Sequence, residues 1–259
     1  MDETTPLTGG NLSTVVQIGD TVRRSRRPWS DAVAALLQQL RSRGFDGSPQ
    51  WIGFDTEGRE TLAYIEGEAG FLPQMWTDVA CQAAAKLLHR YHSAARITSQ
   101  LAVQAWQYSY PDSSRHEVIC HNDFAPYNLI FDASEPVGLI DFDMAGPGPV
   151  LRDVAMGAYW FTPLSFSGDW QERSENDIQS GHHRLRLFCH SYGIEPSLEL
   201  LGMIAEWLDF MAEFPAVQVE SGRTEYRVLI DQGHTAHWRR EAEAFAEREG
   251  DLCESLLAV

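Results

Sequence analysis

One stretch, His121 to Asp143, constrains this 259-residue chain more than any other. It reads HNDFAPYNLIFDASEPVGLIDFD. Apolar Val118-Ile119-Cys120 leads into it, and apolar Val137-Gly138-Leu139-Ile140 delivers it to Asp141. Apolar runs bounded by turn residues read as short buried strands. Asp123, Asn128 and Asp141 therefore stand at or beside strand ends. Three oxygen-bearing side chains in such places suit Mg2+ and phosphate better than they suit a core. Pro126 lies between Asp123 and Asn128, which rules out a simple helical face and implies a structured loop.

Composition bounds the rest. A chain of this length makes one large domain or two modest lobes, and 44 % hydrophobic content is that of a globular protein. No apolar run is long enough to cross a membrane. The start, MDETTPLTGG, has neither the basic nor the apolar stretch of a secretory signal. Cys81, Cys120, Cys189 and Cys253 are scattered, which indicates neither a disulfide framework nor a zinc site, and a cytoplasmic location is expected. The net charge of -17 argues against nucleic acid as a partner. It favours a cationic substrate, or it is a solubility device.

HNDFAPYNLIF followed by GLIDFD resembles the catalytic and metal-binding segments of the aminoglycoside phosphotransferase and choline kinase-like family. These are relatives of the protein kinases, with their H-R-D-x-x-x-x-N and D-F-G signatures. The resemblance implies an α+β, bilobal protein kinase-like fold. Residues 1–67 would form an N-terminal nucleotide-binding lobe and linker, with a small antiparallel sheet and one helix. Residues 68–259 would form a larger, mainly helical catalytic and substrate-binding lobe. The implied activity is Mg2+-dependent transfer of the terminal phosphate of ATP or GTP to a hydroxyl of a small acceptor. Asp123 would orient or deprotonate that hydroxyl, and Asn128 and Asp141 would hold Mg2+. Asp143 either assists the metal or caps the turn before Gly146-Pro147-Gly148-Pro149, itself expected to be rigid. His121 is expected to hold the loop. Asp153, in Asp153-Val154-Ala155, is expected to tie the following helix to the loop rather than to bind substrate.

In the first lobe, strands are expected over Leu12–Ile18 and Thr21–Arg24 with a turn at Gly19-Asp20, and residues 1–10 read as flexible. The resemblance suggests Gly9 to Asn11 as a cover for the nucleotide phosphates. It also calls for a lysine on the third strand, yet the first 80 residues contain none, and Arg24 is the same-face candidate. Ser30 reads as the cap of a helix carrying Val33, Leu36, Leu37 and Leu40 and stopped by Gly44. The glutamate that would pair with the lysine is missing from it. Strands are expected over Pro49–Asp55 and Glu60–Glu68. By resemblance Tyr64 to Gly67 links the lobes, and backbone groups of Ile65, Glu66 and Gly67 would meet the nucleotide base.

The second lobe reads as helices over Gln74–Ala95, from Leu151, over His182–Tyr192, over Ser197–Glu213 and over Thr224–Glu249, the last interrupted near Gly233. Asp169, Glu172, Glu175 and Asp177 fall in a polar, mobile-looking segment. Two features speak to the acceptor. Glu206, Asp209 and Glu213 share one helix flank, either a groove for a polyamine or a solvated face. Tyr159, Trp160, Phe161 and Trp207 offer rings for a quaternary ammonium. An aminoglycoside-like acceptor, and with it antibiotic resistance, is the leading expectation. A choline, amino-alcohol or small-sugar kinase is the second, and a degenerate kinase-like binding protein the third.

Overall fold

The computed structural model describes residues 4–7, 15–70, 76–162, 164, 167 and 175–257. Five strands form an antiparallel sheet: β1 (Thr4–Leu7), β2 (Val15–Ile18), β3 (Thr21–Arg24), β4 (Trp51–Phe54) and β5 (Glu60–Ala63), in the order β1-β2-β3-β5-β4. Gly19, at φ 56°, turns β2 into β3 where the hairpin was expected. The expectation of a flexible start is corrected at β1, where Thr4 stands opposite Ile18. This is an edge strand, the position in a sheet that tolerates Pro6. The strand expected from Leu12 begins at Val15, and Gly9 to Asn11 lie outside the described residues.

Helix α1 (Ser30–Ser42) buries Val33, Leu36, Leu37 and Leu40, the stripe its spacing predicts. Ser30 is its first residue rather than its cap: the hydroxyl accepts a hydrogen bond from the Arg27 N–H at 2.7 Å. Gly44, at φ 78°, ends the turn that follows. The strand from Glu60 stops at Ala63, because Tyr64 to Gly67 crosses to the second lobe. Gly67 is held against that lobe so closely that a Cβ would stand 2.6 Å from the Phe131 carbonyl oxygen.

The second lobe contains β6 (Glu68–Ala69), α2 (Asp78–Ala94), α3 (Ser99–Ala102), β7 (Val118–Cys120), β8 (Leu129–Asp132), β9 (Glu135–Leu139) and β10 (Gly146–Gly148). Four longer elements and one short one follow: α4 (Val150–Phe161), α5 (Glu175–Tyr192), α6 (Leu198–Glu220), α7 (Arg227–Asp231) and α8 (His234–Leu257). The chain is thus bilobal, a small sheet with one helix joined to a larger helical lobe. β8 lies between β6 and β9, and β7 pairs with β10. Gly146 to Gly148 was expected as a rigid turn and is a strand instead. It runs so tightly along Tyr108 that a Cβ on Gly146 would lie 1.8 Å from the Tyr108 carbonyl oxygen, so only glycine permits the pairing. Glu175 and Asp177 open α5 rather than a mobile segment, while Asp169 and Glu172 lie outside the described residues. Gly233, at φ 83°, separates α7 from α8.

The core of this lobe lies among α4, α6 and α8. The Tyr159 and Trp207 rings are 5.1 Å apart, Trp207 and Trp238 5.2 Å, and Trp160 and Trp238 5.9 Å. Each large side chain buried here contributes about 1.5–3 kcal/mol. The reading of Tyr159, Trp160, Phe161 and Trp207 as an acceptor cage is corrected by this packing: all four are buried in the core. A helical apolar stripe has the same spacing whether it faces a cavity or a neighbouring helix. Among the described residues, no helix is long and apolar enough to cross a membrane.

Candidate active site

The segment after β7 turns sharply. Asn122 has φ 60°, left-handed backbone that asparagine tolerates better than most residues. Asp153, on α4, holds the turn from below. Its fully buried carboxylate accepts hydrogen bonds from the His121 N–H at 2.6 Å and the Asn122 N–H at 2.8 Å. The His92 Nε2–H donates a third at 3.0 Å. Burial alone would raise the Asp153 carboxyl, but these donors, His92 foremost, hold it below the usual carboxylate range. The structural role expected of Asp153 is therefore built from three donors on two other elements. His121 is buried as well, and its Nε2–H donates to the Ile140 carbonyl at 3.0 Å, joining the two halves of the motif. Burial pushes its imidazole down to about 4, so it is neutral.

On this base the loop presents Asp123. Tyr127 donates its hydroxyl to Asp123 Oδ1 at 2.8 Å, and Asn128 Nδ2 donates to Oδ2 at 2.7 Å and to the Asp123 carbonyl at 3.0 Å. Burial and the nearby Asp141 charge push the Asp123 carboxyl up to about 7, against the pull of the Tyr127 and Asn128 hydrogen bonds. A carboxylate near neutrality suits a group that takes a proton from a hydroxyl.

Asp141 follows β9 with φ 58° and ψ 72°, a second left-handed residue in the same motif. Such conformations cost of order 1–3 kcal/mol and persist where the surroundings impose them. Its side chain is 45 % exposed to the cleft. Desolvation at the cleft and the charge of Asp143 push its carboxyl above the ordinary range, while Arg24 pulls it down.

Arg24 enters from the small sheet. Its guanidinium, on β3, is buried, with Nη1 3.0 Å from Asp143 Oδ1 and 3.5 Å from Asp141 Oδ1. Its Nε donates to Glu60 Oε2. Glu60 stands directly opposite Arg24 on β5 and is 1 % exposed. Burial opposes the charge on Arg24, but Asp143, Asp141 and Glu60 raise its pKa beyond the ordinary arginine value. Arg24 thus has a buried carboxylate partner on the neighbouring strand and none on α1. Asp31, the one acid of α1, pairs with Arg26 at 2.8 Å on the surface. Sequence reasoning missed Glu60. The signal was its phase on β5, which alternation converts into an Arg24 partner once β3 and β5 are neighbours.

Asn122, Asp123, Asn128, Asp141 and Asp143 open together into a cavity of about 550 Å³, with Arg27 at its edge. Its far wall comes from α6, α7, α8 and the turn before α7: Met211, Phe214, Glu225, Tyr226, Leu229 and Trp238. Trp29 and Gln107 complete it. Of the segment over residues 97–117, Gln107 reaches the cavity while Tyr110 packs into the core. Ile65, Glu66 and Gly67 lie on the crossing between the lobes, away from this wall. Trp160 stands behind the wall, 6.0 Å from Tyr127 and 5.9 Å from Trp238 by ring centroid. Glu206 and Asp209 are exposed on α6 and do not line the cavity; Glu206 accepts a hydrogen bond from the Tyr110 hydroxyl at 3.0 Å.

The donor set suits a hard divalent cation. Both hydrogens used by Asn128 point to Asp123, which leaves its amide oxygen as the atom available to a cation. Asp141 and Asp143 sit side by side, and their mutual repulsion is relieved by positive charge. Among the described residues there is no cluster of three or more His, Cys, Asp or Glu side chains able to hold a metal. Mg2+ needs no such cage, because it takes one or two protein oxygens together with phosphate oxygens and water.

Comparison with known proteins gives the same picture. The model of the phosphotransferase enzyme family (APH) matches residues 32–188. The chain is 34 % identical over 200 residues to the trifolitoxin immunity protein of Rhizobium leguminosarum bv. trifolii, covering 75 % of this chain and 76 % of the relative. Its structure is similar to that of an ethanolamine kinase from Plasmodium vivax, with a TM-score of 0.63 and 13 % identity over 95 % of this chain and 81 % of that one. It is also similar to a choline/ethanolamine kinase family protein from Mesorhizobium loti, with a TM-score of 0.59 and 16 % identity over 96 % and 92 % of the two chains. At these identities the structural likeness is one of fold.

Proposed function

The chain belongs to the phosphotransferase enzyme family, and from that premise we propose that it moves the terminal phosphate of ATP or GTP to a hydroxyl of a small acceptor seated in the 550 Å³ cavity. The observation that carries this reading is the placing of Asp123. Tyr127 and Asn128 hold it at the cavity wall, beside Asp141 and Asp143, with its carboxyl near neutrality.

Residues 1–67 serve as the nucleotide lobe and linker, and residues 68–259 as the catalytic and acceptor lobe. Backbone groups of Ile65, Glu66 and Gly67 receive the base. Arg24, whose guanidinium Glu60 orients, would steady the inner phosphates. The Asn128 amide oxygen and Asp141, with Asp143 beside it, are the groups that would hold Mg2+, which when bound neutralises charge on the phosphates. Asp123 orients the acceptor hydroxyl and accepts its proton as the acceptor oxygen bonds to the terminal phosphorus. The bond from that phosphorus to the bridging oxygen breaks, and nucleoside diphosphate leaves. Positioning and charge supply the catalysis, and no covalent enzyme intermediate is needed.

The relative's name adds a role. That protein is called an immunity protein, and we extend the reading to self-protection: the acceptor is a toxic compound that the phosphate ester inactivates. An aminoglycoside-like acceptor and antibiotic resistance fall within this reading. The alternative of a binding protein without catalysis drew on Arg24 in place of lysine and on the missing helix glutamate. Glu60 weakens that alternative, because it restores a buried cation-carboxylate pair. The test is transfer of labelled terminal phosphate from ATP or GTP, with Mg2+, to hydroxyl compounds. Wild type should transfer, and Asp123→Asn should lose at least about 10²-fold in rate while still binding nucleotide. Full turnover by that variant would refute the role given to Asp123.

A further inference from the structure

The catalytic end of the cavity is acidic, but its opposite wall is not. Asp123, Asp141 and Asp143 are committed to the hydroxyl and the metal in the reading above, on which this inference rests. Beyond them, the one carboxylate lining the cavity among the described residues is Glu225. Arg27 also lines the cavity and acts on Asp141, at the acidic end. His234 lies on the same wall, and burial together with His237 holds it below the ordinary histidine value, so it brings no cation near neutral pH. Gln107, Gln232 and His237 also line it, and most of the remaining surface is apolar and aromatic: Trp29, Met211, Phe214, Leu229, Tyr226 and Trp238. The Tyr226 oxygen accepts a hydrogen bond from Gln107 Nε2 at 2.5 Å, so its own O–H is a single donor on a wall otherwise made of ring faces and aliphatic groups. The acids of α6 that might have gripped a polycation are exposed elsewhere. The charge of -17 therefore describes the chain as a whole and not this wall.

We infer that the acceptor is a hydroxyl compound with a bulky apolar or aromatic body and at most one positive charge, rather than a polycationic, polyhydroxylated sugar. Burying an apolar body against this wall removes from water surface that no polar partner would otherwise satisfy. A polyhydroxylated polycation would lose its hydration against a mainly apolar wall with one carboxylate and two side-chain amides, Gln107 and Gln232, in return, which disfavours it.

Ethanolamine, phenylalaninol and 2-naphthylalaninol form a graded probe set. Each has one primary hydroxyl and one ammonium, and only the apolar body grows. Kanamycin serves as the polycation. Binding to the full chain is read by calorimetry without nucleotide, so the result does not depend on turnover. Affinity should climb along the series by at least tenfold overall, and kanamycin should bind at least tenfold more weakly than 2-naphthylalaninol. Phe214→Ala should cut 2-naphthylalaninol affinity about tenfold and leave ethanolamine unchanged, with Mg-ATP binding kept as the check that the variant is folded. Equal affinity along the series, preferred binding of kanamycin, or no effect of Phe214→Ala would each overturn the inference. Failure to bind Mg-ATP would instead sink the phosphotransferase reading, and the acceptor ranking would be scored separately.

Discussion

Replacing Asp123 with asparagine should destroy transfer and make the variant gain in stability on wild type as pH rises. The wild-type carboxyl is raised from 3.8 to about 7 on folding, first by burial. A raised carboxyl means that the folded state binds its proton more tightly than the unfolded state does. Its contribution to stability is full below the unfolded value of 3.8 and is lost progressively as pH rises towards about 7. Above that the loss is constant. Integrating the linkage between pH 5 and pH 8 gives a decline of about 2–3 kcal/mol from this one group. Asparagine does not titrate, so the variant escapes the decline.

Asparagine also changes the hydrogen bonds. Its oxygen still accepts from the Tyr127 hydroxyl, but its NH2 group meets the Asn128 Nδ2 donor, a mismatch costing about 1–3 kcal/mol. That cost is the same at every pH, so it drops out of the difference between two pH values. Urea unfolding at pH 5, 6, 7 and 8 should therefore show the variant gaining on wild type by about 2–3 kcal/mol across the range. For a chain of this size that is a relative gain in Tm of roughly 4–12 °C. A stability difference flat in pH would show that Asp123 is not raised on folding, and the reason for treating it as the proton acceptor would go with it.

Four other outcomes follow from the same contacts. The pH profile of kcat/KM should rise through a limb near 7, set by the Asp123 carboxyl, and a profile flat from pH 5.5 to 8 would contradict that assignment. Glu60→Gln should weaken nucleotide binding by about tenfold or more, since it removes the negative charge that faces the buried Arg24 on the neighbouring strand; unchanged affinity by calorimetry would separate the pair from the phosphates. Asp153→Ala orphans three donors and should cost about 3 kcal/mol or more, read as a lower urea midpoint. Gly146→Ala places a methyl group on the Tyr108 carbonyl and should cost about 3 kcal/mol, and a variant of wild-type Tm would mean that β7 and β10 do not pair as described.

The His121 to Asp143 half of the site was legible because it is local. It brings Asp123, Asn128, Asp141 and Asp143 within one strand-loop-strand unit, so spacing along the chain nearly determines spacing in space. Asp153 was legible too, as a buried acid at a helix start beside that unit. Glu60 was not, because its partner is 36 residues away and only the β3–β5 pairing joins them. The cavity wall from α6, α7 and α8 was the least legible. Trp207 and Trp238 both fall on apolar helical stripes, yet Trp207 is sealed in the core while Trp238 reaches the cavity. The stripe says that a residue turns inward, and tertiary packing decides whether inward means core or cleft. The same limit sent the expected ammonium cage to Trp160 and Tyr159, one layer behind the rings that line the cavity.

Moving the glutamate from helix to strand changes what α1 is for. An ion pair between a strand and a mobile helix forms only when the helix is in place. Arg24 and Glu60 lie opposite each other in one sheet, so their pairing is set by the β3–β5 ladder itself. Helix α1 is tied elsewhere: Gln39 donates to the carbonyls of Ala94 and Arg96, each at 3.0 Å, and Arg43 donates to that of Ala94 at 3.1 Å. These bonds fasten the C-terminal end of α1 to the end of α2 in the large lobe. The buried Arg24–Glu60 pair and the interlobe strut are thus carried by different elements. Glu60→Gln should accordingly act on nucleotide affinity with little effect on global stability beyond the sheet, whereas Gln39→Ala should loosen the lobes and spare the Arg24 geometry. Hydrogen exchange resolves the two: protection lost in β3 and β5 for the first, and at the α1–α2 junction for the second. Protection lost in both regions in both variants would mean that pair and strut act as one unit.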